Sequence, residues 1–394
     1  MSIQKLKEYI GLRWKPMAMY VAMFVILGAA LFSQLGTLTP GYSQSEADTY
    51  HASLSFKHIL DNPINAPYMV VVRGLSYISH DNLLATRLVS TLCGLVILAI
   101  FAELLYRWHD MRTSIFGTLL FGLSASFLHV ARLGTPEVLL YGLFFLTVCG
   151  YWAKRTNGKL PLFICFVTSS ALLYVPGMIW FIFAGIIWQH KTIDRLFKKH
   201  LGIVSIGSLL FVACLAPLGW AISKDHSLIK PLLGLPDTWP TIWQLAKNII
   251  NVPVHLFLHN AANPVSWLGT APVLDIFSLT MLIIGSYLYI KNFKLLRTPL
   301  FITFLAIMTG LVALGGSVTL TVIMPFIYLI AAAGVAQLLT QWLTVFPRNP
   351  IARSLGLVSV AVLIGFACIY QITHYFVGWP QAAATHQTFT IQKP

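Results

Sequence analysis

Charge is the scarcest commodity in this sequence. Asp, Glu, Lys and Arg make up 10% of its 394 residues, against about 25% in soluble domains. That shortage excludes an ordinary water-soluble fold of this length. Acids are scarcer still: 12 Asp and Glu face 26 Lys and Arg, for a net charge of +14. RNA-binding signatures, zinc-finger spacings and basic-aromatic alternation are all lacking, so the positive charge is not read as a nucleic-acid footprint. Beside long apolar blocks it reads as topogenic charge. Cysteine is also sparse. Cys93, Cys149, Cys165, Cys214 and Cys368 all fall in apolar blocks and none forms a CxxC pair. Neither a disulfide framework nor a thiolate zinc site is indicated. Internal repeats, low-complexity tracts and a second soluble domain are lacking too. The exit from the first apolar block, Gly36 to Pro40, lacks a good cleavage site, so an uncleaved first helix is expected.

What the sequence has instead is hydrophobicity, 57% of residues, arranged in long blocks. The blocks predict spans at 17–36, 83–105, 114–131, 136–153, 160–174, 176–189, 202–222, 272–290, 298–315, 318–342 and 355–376. The expected fold class is an all-α polytopic membrane protein of about eleven transmembrane helices. The block 160–189 is read as a hairpin because Pro176-Gly177 is a turn signal. The hairpin also puts Lys154, Arg155 and Lys159 on the same side as Lys191, Arg195, Lys198 and Lys199, as the positive-inside tendency requires. The N-terminus is then cytoplasmic and the C-terminus outside. Cytoplasmic segments hold 18 Lys and Arg with four acids, and outer segments hold eight of each sign. Two outer loops are long, 37–82 and 223–271, and long ordered loops are often functional. Within the first, 44–60 and 64–78 are expected to be amphipathic helices at the membrane surface. Residues 1–376 are read as one transmembrane domain and 377–394 as a polar, mobile tail.

Chemistry concentrates on the outer face. Glu46 and Asp48 follow the first span, with Tyr50 and His51 close behind. Two carboxylates and a histidine could supply a general base or hold a cation. The competing reading is a helix N-cap at Ser43 or Ser45. Arg132 and Glu137 bracket the turn between the third and fourth spans. Thr135 and Pro136 look like a helix start, and an acid at that depth marks a functional site by default. The competing reading is a structural Arg132–Glu137 pair. Lys57, Arg73, Arg87 and Arg132 form the pool for phosphate contacts. His255 and His259 stand at i, i+4, a spacing that can ligate metal, but no third ligand lies in sequence reach. Nothing seen requires a metal or a cofactor.

The order and spacing of these residues resemble the GT-C superfamily of polytopic glycosyltransferases, in particular its bacterial protein O-mannosyltransferase and aminoarabinose (lipid A) transferase branch. Ser45-Glu46-Ala47 is similar to the family's Asp-Glu-Ala motif, and Asn65-Ala66-Pro67-Tyr68 to its Asn-x-Pro-Tyr stretch. Thr86-Arg87-Leu88-Val89-Ser90 is similar to the Ala-Arg-Leu-x-Ser motif, and Arg132 to Glu137 to the Arg-x-x-x-x-acid turn. The Pro176-Gly177 break and the run from Asn263-Pro264 to Asp275 also fit, so the resemblance spans about 16–340. There are departures: the family aspartate falls on Ser45, Met69 and Val70 occupy the region of a common lysine, and Tyr174 replaces another.

The resemblance implies a membrane glycosyltransferase of the plasma (inner) membrane. It would move a sugar from a polyprenyl-phosphate donor to a glycan, lipid or protein acceptor on the extracytoplasmic side, inverting the anomeric centre. Glu46 is then the expected base, with Asp48 as alternate. Glu137, Arg132, Arg87, Arg73, Lys57, His51, Tyr50 and Tyr68 are the expected substrate contacts. Membrane lipids are expected partners. A lipid or sugar transporter, or a non-catalytic scaffold of the same fold, are the alternatives.

Overall fold

The computed structural model describes residues 3–77, 82–260, 263–265, 267–293 and 297–391. Asp81, Lys294 and Lys393, which entered the charge inventory, lie outside them. The described chain is helical throughout, and its one β-bridge pairs Tyr42 with Ile391.

Helix α1 (Ile3–Phe32) leads into three short helices of the first long loop, the one expected on the outer side: α2 (Gln44–Ser53), α3 (Phe56–Asp61) and α4 (Ala66–Ser76). Helix α5 (Asn82–Trp108) returns, and α6 (Met111–Gly122) and α7 (Ala125–Arg132) follow. The last two are bent by 67° at their junction. The bend has a local cause: Ser124 starts a new helix, its hydroxyl accepting from the Phe127 N–H at 3.3 Å. A 3₁₀ turn (Pro136–Gly142) then opens α8 (Leu143–Thr156). Helices α9 (Lys159–Leu172) and α10 (Met178–Lys199) form the predicted hairpin. Gly177 sits at its tip with φ +74°, a conformation glycine adopts without strain, and its N–H donates to Leu232 O at 2.9 Å.

Helix α11 (Leu201–Lys224) leads to the second outer loop, which holds α12 (Ile229–Leu232) and α13 (Ile242–Phe257). Then come α14 (Ile276–Lys291), α15 (Arg297–Leu314), α16 (Met324–Val345) and α17 (Pro350–Thr373). Two short tail helices, α18 (Trp379–Gln381) and α19 (Ala383–Thr388), end the described chain.

Every predicted span falls on helix, and the protein is a polytopic membrane protein. Length and composition qualify five helices as spans, or six with the bent α6–α7 pair. Four more apolar helices are shorter: Pro16–Phe32, Lys159–Leu172, Ile276–Lys291 and Thr298–Leu314. The expected eleven therefore exceeds what length and composition establish.

Helix α16 runs through the centre of the bundle, with Tyr328 and Ala331 to Ala333 wholly buried. Helix α11 is its opposite, presenting Ile206, Leu209 and Val212 outward, as lipid-facing helices do. Contrary to expectation, the tail is packed. Trp379 and Phe389 are buried, and Ile391 bridges to Tyr42. The tail thus lies on the same face as the first outer loop.

Helices α14 and α16 touch backbone to backbone. A Cβ on Gly285 would collide with Ile330 O, and one on Gly334 with Met281 O. Small residues permit this approach in membrane bundles. Gly334→Val is expected to cost about 3 kcal/mol or more through overpacking, seen as a lowered thermal midpoint in detergent. An unchanged midpoint would contradict the direct backbone contact.

Candidate functional site

The site is built on a turn. Residues 133–136 carry the chain from α7 into the 3₁₀ helix, and three buried groups hold them. The first is Glu46. Ser43 caps α2 through a capping box in which the Glu46 side chain accepts from the Ser43 N–H at 2.9 Å. The same carboxylate takes Arg87 in a two-pronged pair, Nε to Oε1 at 2.7 Å and Nη2 to Oε2 at 3.0 Å. It also accepts from the Ser43 hydroxyl at 3.1 Å and from the Gly134 N–H at 3.0 Å. Glu46 is fully buried. Burial pushes its pKa up, but the Arg87 charge and the hydrogen bonds from Arg87, Ser43 and Gly134 outweigh that, holding the carboxyl below the usual glutamate range.

Arg87 is the second group. It spends its remaining N–H groups on Leu35 O (3.0 Å), Gly41 O (3.1 Å) and the Thr39 hydroxyl (3.2 Å), and it lies over the Tyr42 ring. Gly134 can approach because a Cβ there would strike the Thr86 hydroxyl. Tyr68 is the third group. Its hydroxyl donates to Thr86 O at 2.7 Å and pairs with the Ser90 hydroxyl at 2.7 Å, and Ser90 in turn donates to Thr135 O at 3.1 Å. The first outer loop, α5 and the turn are thereby fastened to one another.

The turn aims Glu137 at open space. Glu137 helps line two cavities, of about 360 Å³ and about 320 Å³, and Asn263 also borders both. The larger is walled by amides, Asn248, Asn251 and Asn260, together with Trp267. The smaller takes Ser45 and Thr49 from α2, Asn65 from the loop before α4, and Pro176 from the hairpin tip. Glu137 Oε2 is 3.3 Å from the Thr321 hydroxyl and 3.5 Å from that of Thr319. Among the described residues it has no cationic partner: the ion pairs are Glu46–Arg87, Glu103–Arg107 and Asp194–Lys198. It is therefore a carboxyl group facing cavities and held by two hydroxyls.

Several sequence expectations change with this geometry. Glu46, expected as the base, lines neither cavity and has both oxygens engaged. The reading as a helix cap describes it, with an ion pair added. Asp48 is exposed, lines neither cavity and accepts from Gln44 Nε2 at 2.8 Å. The structural Arg132–Glu137 pair does not form. Arg132 instead donates to Ala30 O at 2.7 Å and to Ser33 O, capping the end of α1, between Tyr375 and Phe376. Cations commonly serve helix C-termini this way.

Arg73 donates to Leu54 O and to the Tyr77 hydroxyl and lies over Phe56. Lys57 and His51 are exposed, and Tyr50 is half-buried against the His51 ring. Thus Glu137 reaches the cavities, Glu46, Arg87 and Tyr68 brace it from behind, and the others stand apart. His255 borders the larger cavity, and its Nδ1 meets His259 O at 3.0 Å. Sequence reasoning missed Asn248, Asn251, Asn260, Thr319 and Thr321. The one available signal was the pair of threonines interrupting an apolar run.

This arrangement sits in a fold shared with solved structures. In particular, the chain is similar to ArnT from Cupriavidus metallidurans. The apo crystal structure superposes with a TM-score of 0.53 at 13% identity, covering 94% of this chain and 77% of that one. The same protein bound to undecaprenyl phosphate gives 0.52 at 14% identity, with the same coverage. The arabinosyltransferase EmbB from Mycobacterium smegmatis gives 0.49 at 11%, covering 93% of this chain and 42% of that one. No protein-family model and no curated protein matches in sequence.

Removing one partner of a buried ion pair leaves an uncompensated charge. Glu46→Ala is expected to destabilise by about 3–5 kcal/mol, and Glu46→Leu with Arg87→Met to recover most of that. Denaturation in detergent measures both. The depressed Glu46 pKa also fixes the sign of the pH effect. Its stabilisation is complete above the unfolded-chain value of about 4.3 and is lost as pH falls through the lower folded-state value. The acid-side fall in thermal midpoint should therefore flatten in the Glu46→Leu, Arg87→Met protein.

Proposed function

We propose that the chain is a glycosyltransferase that moves a sugar from a polyprenyl-phosphate donor to an acceptor at the extracytoplasmic membrane surface, with Glu137 as general base. The observation that carries this reading is the position of Glu137: one carboxylate without an ion-pair partner among the described residues, bordering two cavities that also share Asn263. A transferase joining two substrates needs two compartments meeting at the reacting atoms. The similarity of fold to ArnT, one structure of which is bound to undecaprenyl phosphate, supports a polyprenyl donor.

In this reading an acceptor hydroxyl gives its proton to Glu137 and attacks the anomeric carbon. The bond from that carbon to the phosphate oxygen breaks, and the polyprenyl phosphate leaves with the electron pair. A single displacement inverts the centre. Thr319 and Thr321 fix the carboxylate orientation. The amide-rich larger cavity suits a neutral hydroxylated ring, since asparagines both donate and accept. Among the described residues no lysine or arginine lines either cavity. The donor phosphate then lies outside them, at the membrane surface. Of the expected cations, Arg87, Arg132 and Arg73 are committed to bonds within the protein, which leaves Lys57, exposed on α3.

Glu137→Gln keeps size and hydrogen bonding but removes the base. Transfer from a radiolabelled polyprenyl-phosphate sugar panel is expected to fall about 10²–10⁴-fold, at an unchanged thermal midpoint. Asp48→Asn is expected to retain activity. Full turnover by Glu137→Gln alongside collapse in Asp48→Asn would move the base back to the loop acids.

A further inference from the structure

At the opposite end of the bundle three arginines converge. Helix α16 has 22 residues, so it carries the chain about 33 Å from Met324, beside the threonine pair, to Val345. There Arg348 in the following loop, Arg353 in α17 and Arg112 in α6 line one cleft of about 400 Å³. Its floor includes Leu343 and Leu357.

The cleft is held in shape. Trp342 Nε1 donates to Ala352 O at 2.8 Å, and a Cβ on Gly356 would collide with that indole, so α16 and α17 meet closely just beside it. Among the described residues no acid lines the cleft, and none of the three arginines is ion-paired. The acid next in sequence, Asp110, caps α6 by accepting from the Thr113 N–H at 2.9 Å. Arg353 spends one N–H on Pro347 O at 2.9 Å, leaving the rest of its fork. Asn349 takes the Ile351 and Ala352 N–H groups, so guanidinium forks, more than α17 backbone, are available to an anion. Topogenic arginines need only be on one side of the membrane. Three that face one cleft repel each other until an anion occupies it.

We propose that this cleft binds a phosphate group, that of an anionic phospholipid headgroup. Guanidinium forks match phosphate oxygens, and basic pockets between transmembrane helices hold lipid headgroups. Apolar exposure nearby favours a lipid over a soluble phosphate: Val345, Ile351 and Leu355, interleaved in sequence with the cleft residues, are exposed apolar side chains, as lipid-facing positions are. This site is remote from Glu137 and independent of the reaction proposed there.

The test is the thermal midpoint of purified protein in neutral detergent, titrated with dioctanoyl phosphatidic acid, dioctanoyl phosphatidylcholine or inorganic phosphate. Phosphatidic acid is expected to raise the midpoint saturably, while phosphatidylcholine and inorganic phosphate do not. Arg348→Gln and Arg353→Gln should each weaken the apparent affinity about fivefold, without moving the lipid-free midpoint, and Arg348→Lys with Arg353→Lys should keep the charge-dependent part of it but lose the part owed to the guanidinium forks. Equal protection by inorganic phosphate would overturn the lipid assignment. No protection, or protection that the glutamine variants keep in full, would overturn the site.

Discussion

The buried pair between Glu46 and Arg87 is the constraint on which this face of the bundle depends. Two ionised groups taken out of water cost several kcal/mol each, and that cost is tolerable here only because nearly every lone pair and N–H is used. Arg87 gathers Leu35, Thr39 and Gly41 from the first loop. Glu46 gathers Ser43 and, across the fold, Gly134. The geometry therefore fixes where the loop, α5 and the Glu137 turn stand relative to one another. Directional bonds do this where apolar packing, which slides, could not.

A division of labour between two acids follows. Both are glutamates near the start of a helix on the same face. One has its oxygens saturated by a cation and backbone N–H groups. The other meets two threonine hydroxyls and open cavities. Saturation makes the first a poor proton acceptor and a good strut. Partial satisfaction leaves the second available for chemistry. At the far end of the bundle the logic reverses: among the described residues, three arginines without carboxylate partners line one cleft.

Most of the fold was legible because apolar blocks and their breaks are local signals. Pro176-Gly177 disclosed its hairpin, and charge placement chose between one helix and two. The α6–α7 bend was missed because a serine cap in an apolar block does not interrupt hydropathy. The tail was misjudged because polar composition hid Trp379 and Phe389, whose partners lie far off in sequence. At the site, both glutamates stood out as acids, yet their roles did not. A carboxylate's task is set by its neighbours in space, and Glu46 meets Arg87 and Gly134 only once the chain is folded. The asparagines of the larger cavity come from the second outer loop without a shared motif, so no spacing could announce them.

The most direct measurement is a cryo-EM structure with a non-hydrolysable polyprenyl-phosphate-sugar analogue bound. The sugar is expected in the cavities bordered by Glu137 and Asn263, with the Glu137 carboxylate within about 4 Å of the acceptor-facing side of the anomeric carbon and the Glu46–Arg87 pair intact. A sugar seated against Asp48, or a Glu46 freed from Arg87 and turned toward the anomeric carbon, would contradict it.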